Sequence, residues 1–165
     1  MTSPPATSSP AGPGSPASAL AAAQAALAAE DAAVYGYGVV GARVGAGRRS
    51  DAQAAYDAHR AQRDALSRTV HGLGGEPVAA DPAYALPFPV PDQDAAARLA
   101  AYIEDRIAGA YADLVRAAHG GLRRDAAAAL RGAAVRAVQW RGSGVAFPGL
   151  IERAPGASPA ASATR

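Results

Sequence analysis

The chain of 165 residues is long enough for one domain with a core of its own. Its 16 basic residues are all arginines, and 14 acidic residues leave a formal net charge of only +2. The arginines form no basic patch or stripe, so we expect no nucleic-acid partner. Without cysteine the chain has neither disulfides nor thiolate metal sites. No apolar run reaches the length of about 18 residues that a membrane span needs, so we expect no membrane partner and a cytoplasmic location.

Four helical patterns follow one another between Pro/Ser/Ala-rich ends. The ends, 1–16 and 153–165, are expected to be disordered because they hold too few apolar side chains to offset the entropy of ordering. The domain between them, 17–152, shows apolar side chains at alternating three- and four-residue steps, which is typical of amphipathic helices. The four predicted helices span about 18–44, 50–73, 92–119 and 122–141. An apolar arm over 142–151 is expected to lie back on them.

The connections between the helices predict their order in space. Short breaks near 45–50 and 120–121 predict two antiparallel helical hairpins. The middle connection, 75–91, holds five prolines. Seventeen extended residues reach roughly 50 Å, whereas a helix of 25 residues is roughly 37 Å long. The sequence therefore predicts an all-α, ferritin-like four-helix bundle with one long crossover between helices 2 and 3.

The stretch YGYGVVGARVG contains the spacing G-x-G-x-x-G at Gly36, Gly38 and Gly41. A dinucleotide-binding turn needs a strand before it and a helix that begins within it, and both are missing from the pattern. We interpret Gly38, Gly41 and Gly45 instead as a seam of small residues in helix 1, against which Tyr56 or the crossover packs closely. Leucine at Gly38 or Gly41 is then expected to destabilise the fold.

The acidic residues in the helices bear on metal binding. Ferritin-like di-iron sites take a glutamate from each of two helices and a Glu-x-x-His pair from each of the other two. Glu30 and Glu104 could be the two single glutamates, but neither His59 nor His71 has a glutamate three residues before it. Helix 4 has no histidine, and its acid, Asp125, lies in the first turn. We therefore expect no metal; the alternative is iron or manganese held by Glu30, His59 and Glu104.

Helical geometry predicts what lies opposite the two glutamates. Folding helix 2 back about residue 48 brings Glu30 within a turn of Arg63 and leaves His59 roughly 10 Å away along the axis. Folding helix 4 back about residue 120 brings Glu104 level with Arg136. A buried carboxylate needs a partner, and a guanidinium is the usual one. The predicted core polar network therefore comprises Glu30, His59, Arg63, Glu104 and Arg136, with His59 as a hydrogen-bonded core histidine.

Aromatic residues recur at helical spacing and are expected to belong to the core. The alternative interpretation is a small-ligand pocket lined by Tyr37, Tyr56, Tyr111 and Trp140.

Four blocks of sequence carry a family resemblance: AAEDAAVYGYGVVGAR, YDAHRAQRDAL, PAYALPFPV and VRAVQWRGSGVAFPGL. Together they resemble an actinobacterial ferritin-like domain family of unknown function over residues 18–151. The resemblance implies a ferritin-like four-helix bundle and carries no activity. It also implies matches to the family pattern at Glu30, Tyr35, Tyr37, His59, Arg60, Asp64, Pro87, Arg136, Trp140, Phe147 and Pro148.

Besides a small-ligand carrier, two functions of different classes remain open. The first is a non-catalytic helical module that acts through self-association, for example as a dimer, or through protein partners. The second is a divergent ferritin-like metal-dependent oxidoreductase that uses Glu30, His59 and Glu104. The two hypotheses differ in what stands between the two glutamates in the core.

Overall fold

The computed structural model describes residues 14–145, 147 and 148 of the chain. This part folds into four α-helices and contains no strand, which confirms the all-α prediction. The helices are α1 (Pro16–Arg43), α2 (Arg49–Gly72), α3 (Gln93–Ala117) and α4 (Gly120–Arg141), and a 3-10 turn (Ala46–Arg48) joins α1 to α2. Of the tails predicted at 1–16 and 153–165, residues 1–13 and 153–165 lie outside the described residues, and helix α1 already begins at Pro16. Residues 146 and 149–151 of the predicted arm lie outside them as well.

Local sequence signals set several of the helix ends. The side chain of Ser15 accepts a hydrogen bond from the backbone N–H of Ser18, and Pro16 occupies the first turn of α1, where its missing N–H costs nothing. Asp92 caps α3 in the same way. Gly142 ends α4 with a φ of +79°, a left-handed conformation that favours glycine.

Helices α1 and α3 form the middle of the bundle: α1 packs against α2 and α3, and α3 packs against α1 and α4. Many of the buried side chains are alanines, so the helices approach closely, and larger apolar residues such as Leu27, Leu99, Ile107 and Leu114 fill the remaining space. Side chains on the inner faces of α1 and α3 therefore meet at the centre of the bundle. None of the described helices is both long and apolar enough to cross a membrane.

Residues 73–92, between α2 and α3, follow α1 from its beginning to its end. At one end of the segment, Gly75 lies against Leu20, and the backbone N–H of Val78 donates to Gln24 at 2.9 Å. At the other end, the side chain of Gln93 lies against Gly45. These contacts thus lie near the beginning of α1 and just beyond its end.

Most of the glycine-rich stretch lies inside α1. Of the three glycines of the predicted seam, Gly45 lies against the first residue of α3, but Gly38 and Gly41 show no close approach. A methyl group built on Gly38 or Gly41 would meet no atom within 4 Å, because both residues face outward. Neither Tyr56 nor the 73–92 segment presses on them. Within α1 the close approach occurs at Gly36, where such a methyl group would lie 2.6 Å from Cδ1 of Ile103 on α3.

Candidate functional site

A chain of four polar side chains, one from each helix, crosses the centre of the bundle. We call Glu30 (α1), His59 (α2), Glu104 (α3) and Arg136 (α4) the core network. His59 stands between the glutamates, with Nδ1 2.7 Å from Oε2 of Glu30 and Nε2 3.1 Å from Oε1 of Glu104. The Nε of Arg136 donates to the same Oε1 at 2.7 Å. Glu30, His59 and Glu104 are completely buried.

Two tyrosines extend the core network, one at each glutamate. The hydroxyl of Tyr37 donates to Oε1 of Glu104 at 2.6 Å, and that of Tyr111 donates to Oε1 of Glu30 at 2.8 Å. The ring of Tyr37 also stacks on the imidazole of His59, with 5.0 Å between the ring centroids. Each glutamate therefore accepts from a tyrosine as well as from His59, and the His59 ring is contacted at both nitrogens and on one face.

The geometry assigns a charge to His59. Both ring nitrogens face carboxylate oxygens, so an imidazolium can donate to both, whereas a neutral imidazole could donate to only one. Burial by itself lowers the pKa of His59, but hydrogen bonds to Glu104 and then Glu30 outweigh it and raise that pKa above its ordinary value. With Arg136 also cationic, the core network holds two negative and two positive charges and is neutral as a whole.

Glu104 is the most heavily used acceptor of the core network. Burial raises the pKa of its carboxyl, but the hydrogen bonds from His59 and Arg136 hold that pKa below its ordinary value. All three donors, from Tyr37, His59 and Arg136, converge on Oε1. The second oxygen, Oε2, is buried and has no hydrogen-bond partner among the described residues.

The partner predicted for Glu30 was wrong. His59 contacts Glu30 directly instead of lying roughly 10 Å away along the axis, and Arg63 takes no part in the core network. The error came from the assumed fold-back point at residue 48. In the structure α1 ends at Arg43 and the 3-10 turn completes the reversal. The chain therefore folds back near residues 44–45, midway between 30 and 59, which is about one helical turn before the assumed point. For Glu104 the predicted cation, Arg136, is in contact.

Arg63 lies instead at the edge of the α1–α2 contact. Its Nη2 donates to Asp64 at 2.8 Å on the protein surface. The neighbouring Asp31 is buried, which the sequence reasoning did not anticipate. Burial raises the pKa of Asp31, and the charge of Arg63 partly offsets this. The sequence carried one signal for the burial of Asp31, namely that it directly follows Glu30. Both of these adjacent helix positions face the α1–α2 side.

The four aromatic residues of the small-ligand alternative do not share one pocket. Tyr37 and Tyr111 are buried and act as hydrogen-bond donors to the glutamates. Tyr56 is half-buried and lines an open groove of about 580 Å³ together with Tyr37. Trp140 packs 6.3 Å from Tyr37, measured between ring centroids, and the guanidinium of Arg48 covers it at 3.9 Å.

The sequence reasoning also missed the role of Arg48 in the α1–α2 turn. Besides covering Trp140, its Nη2 donates to the backbone carbonyl of Gln139 at 3.0 Å. A cation at this place satisfies a carbonyl in the last turn of α4 and favours the helix dipole. The contact joins the α1–α2 turn to the end of α4 on one side of the core network.

The chemistry of this arrangement is that of a closed ion-pair network. Within residues 14–145 and 147–148, no group of three or more histidines, aspartates and glutamates is arranged to hold a metal ion. Glu30, His59 and Glu104 do meet, but each ring nitrogen of His59 points at a carboxylate oxygen. The donor atoms therefore point at each other and not at a common centre.

Comparisons with known proteins agree with the fold and assign no activity. A family model described as "Domain of unknown function (DUF4439)" matches residues 22–152. Among solved structures, the chain is similar to a conserved hypothetical protein, rv2844, from Mycobacterium tuberculosis. The sequences are 34% identical, the TM-score is 0.74, and the match covers 76% of this chain and 96% of that one. A search of curated proteins gives no significant match.

Proposed function

The chain belongs to the DUF4439 family of domains of unknown function, and on that premise we propose a non-catalytic role. The protein is a ferritin-like helical module whose core network takes the place of a di-iron site. It acts through self-association or through protein partners. The proposal rests on one observation: His59 bridges the two central glutamates, and Arg136 neutralises the remaining charge.

The helix directions support the ferritin-like part of the proposal. Contacts between α1 and α3 pair Gly45 with Gln93 and Gly36 with Ile103, so the two helices are antiparallel. Because α1 and α2 also form an antiparallel hairpin, α2 and α3 run in the same direction. Two parallel neighbours in the chain require a connection as long as the bundle, as in ferritin-like folds, and residues 73–92 provide that connection.

The residues of the core do not fit a di-metal centre. Such a centre needs acidic or imidazole ligands from all four helices, and α4 contributes Arg136 at this level. A guanidinium 2.7 Å from Oε1 of Glu104 places a fixed positive charge where a second metal ion would bind. His59, as an imidazolium, has no lone pair to offer a metal. The charges of Glu30 and Glu104 are instead matched within the protein.

One observation favours the alternative, a divergent ferritin-like metal-dependent oxidoreductase or metal-binding protein. Oε2 of Glu104 is a buried carboxylate oxygen without a partner, and such an atom calls for an explanation. A single iron or manganese ion would have Glu30, His59 and Glu104 as its ligands, provided that His59 loses its proton.

Metal analysis of the purified full-length protein separates the two functions. Protein produced in medium supplemented with iron and manganese is expected to contain far less than one ion per chain by elemental mass spectrometry. The matched control is the variant Glu104→Gln, which replaces the carboxylate whose buried Oε2 has no partner among the described residues. A stoichiometric ion in the wild type that is lost in the control would overturn the non-catalytic proposal and support the alternative.

The surface supports the role in association. Large side chains such as Tyr35 and Tyr102 are each more than one third exposed and border a groove of about 1060 Å³ between α1 and α3. Light scattering coupled to size-exclusion chromatography, over a range of protein concentrations, tests self-association. We expect a concentration-dependent dimer that Tyr102→Ser weakens. A strict monomer that also recovers no partner in pull-downs would contradict the proposal.

A further inference from the structure

One outer face of α3 carries a row of aromatic and charged side chains beside the groove between α1 and α3. Tyr102, Arg106, Asp113 and Arg116 are exposed, and Gly109 lies in the middle of the row. Steps of four and three residues place them on one side of the helix over about four turns. We call these five residues the α3 stripe. All of them except Arg116 line the groove of about 1060 Å³.

We propose that a second copy of this chain occupies the groove, and that the α3 helices of the two copies cross antiparallel about a twofold axis at Gly109. The inference rests on the proposed self-association and names the surface and the register through which it occurs. In the dimer Arg106 of each copy faces Asp113 of the other, and Tyr102 of each copy faces Arg116 of the other.

The order of the side chains along the α3 stripe supports the twofold axis. Residues at equal distances on either side of such an axis meet each other in the two copies. The point midway between Arg106 and Asp113 lies between residues 109 and 110, and the point midway between Tyr102 and Arg116 is residue 109. One axis therefore pairs a cation with an acid and an aromatic ring with a cation, each of them twice. Parallel stripes in register would instead place each charge opposite its own kind.

The ion pairs within one copy leave this pairing available. Arg106 forms no ion pair with another described residue. Asp113 contacts Arg116 at 3.0 Å, but the two side chains are 67% and 69% exposed, and such a surface pair is weak. The other charged residue of the groove, Asp105, is already held by Arg141 at 2.6 Å. Arg106 and Asp113 are therefore the charges of the groove that a second copy can neutralise.

The shape of the groove allows a second α3 helix to approach closely at the proposed axis. Gly109 and Ala110 have small side chains, so two helices that cross there can approach to about 8 Å between their axes. The contact between Gly36 and Ile103 sets which part of α1 lies at the same level. There the groove is lined from α1 by small residues: Ala25, Ala28, Ala29 and Ala32. The outer face of α3 in one copy therefore fits into the groove of the other.

Charge reversal at two positions of the full-length chain tests the pairing. Arg106→Asp and Asp113→Arg each replace two attractive contacts by two repulsive ones, so each should raise the Kd of the dimer at least about tenfold in analytical ultracentrifugation. The double variant with both changes reverses every pair and should restore the Kd to within about threefold of wild type. The matched control, Arg68→Asp, makes the same change of charge on α2, which contributes no residue to the groove, and should leave the Kd unchanged.

Mixing the two single variants gives a sharper form of the same test. One copy then contributes only acids at the two positions and the other only arginines, so the heterodimer should be tighter than either homodimer. This result also shows that both variants fold. Single variants that weaken the dimer without recovery in the double variant or in the mixture would overturn the inference.

The outcomes separate this inference from the proposed function. A wild-type dimer whose Kd does not respond to any of these variants would overturn the inference and leave self-association through another surface intact. A wild type that stays monomeric would overturn the inference as well. The proposed function would then fail only if the pull-downs also recover no protein partner.

A cysteine beside the proposed axis provides an independent measurement, since the chain contains no cysteine of its own. In the dimer, a side chain at position 110 lies next to its own copy. Ala110→Cys should therefore form disulfide-linked dimers in oxidised glutathione at least about tenfold faster than the matched control Ala61→Cys, which is exposed on α2. Equal rates would contradict an axis at this point of α3.

Discussion

Replacing His59 with leucine removes the positive charge between two buried carboxylates and leaves the volume of the side chain nearly unchanged. Glu104 keeps Arg136 at 2.7 Å, so its charge stays compensated. Glu30 loses its only cation and retains one donor, the hydroxyl of Tyr111 at 2.8 Å. Breaking a buried ion pair by removing one partner costs about 3–5 kcal/mol. For a domain of this size, that free energy corresponds to a loss of roughly 6–20 °C in Tm.

Urea unfolding at pH 7, followed by circular dichroism at the helix band, measures this loss. The control is His71→Leu, since His71 is exposed at the end of α2 and its replacement should change the free energy of unfolding by less than about 0.5 kcal/mol. Adding Glu30→Gln to His59→Leu should recover at least about 1 kcal/mol, because the uncompensated charge is then gone. A loss below about 1 kcal/mol for His59→Leu alone would refute the assignment of an ionised network.

Three further predictions follow from the same structure. The raised pKa of His59 contributes stability that is fully present below its unfolded pKa of about 6.5 and is lost as the pH rises through its folded pKa. The free energy of unfolding should therefore fall on the alkaline side, and His59→Gln should flatten that fall. Gly38→Ala and Gly41→Ala should each stabilise the fold by up to about 1 kcal/mol in thermal unfolding, since both side chains would enter open space on a helix. Gly36→Leu should instead destabilise it by about 1–3 kcal/mol, because the larger side chain clashes with α3. Equal effects would contradict the packing described. Tyr37→Phe should cost about 1.5–3 kcal/mol in urea unfolding, because a buried carboxylate loses a donor at 2.6 Å, and a value near zero would mean that water replaces the hydroxyl.

The sequence predicted the helices well, because their signals are local. Apolar periodicity and the glycines at the breaks gave four helix spans within about two residues of those observed. Arg136 opposite Glu104 was also predicted, since the turn between α3 and α4 is so short that the fold-back point has little freedom.

The register between α1 and α2 could not be predicted from the same reasoning. The position of His59 opposite Glu30 depends on where the chain reverses, and a 3-10 turn of three residues shifts that point by about one helical turn. Sequence patterns do not fix helix ends closely enough to decide between His59 and Arg63. The prediction about the glycines of α1 failed for a related reason. Gly36 and Gly38 are two residues apart and lie on opposite sides of α1, so composition alone could not show which one meets α3.

The core network also has a consequence for how sequences of this family can diverge. Its members come from all four helices, and each charge is balanced by a residue on another helix. A single substitution at one of these positions leaves a buried charge without its counterpart, whereas a set of substitutions that removes the charges together does not. We therefore expect positions 30, 59, 104 and 136 to covary among related chains, as one inherited unit spread over most of the length of the domain.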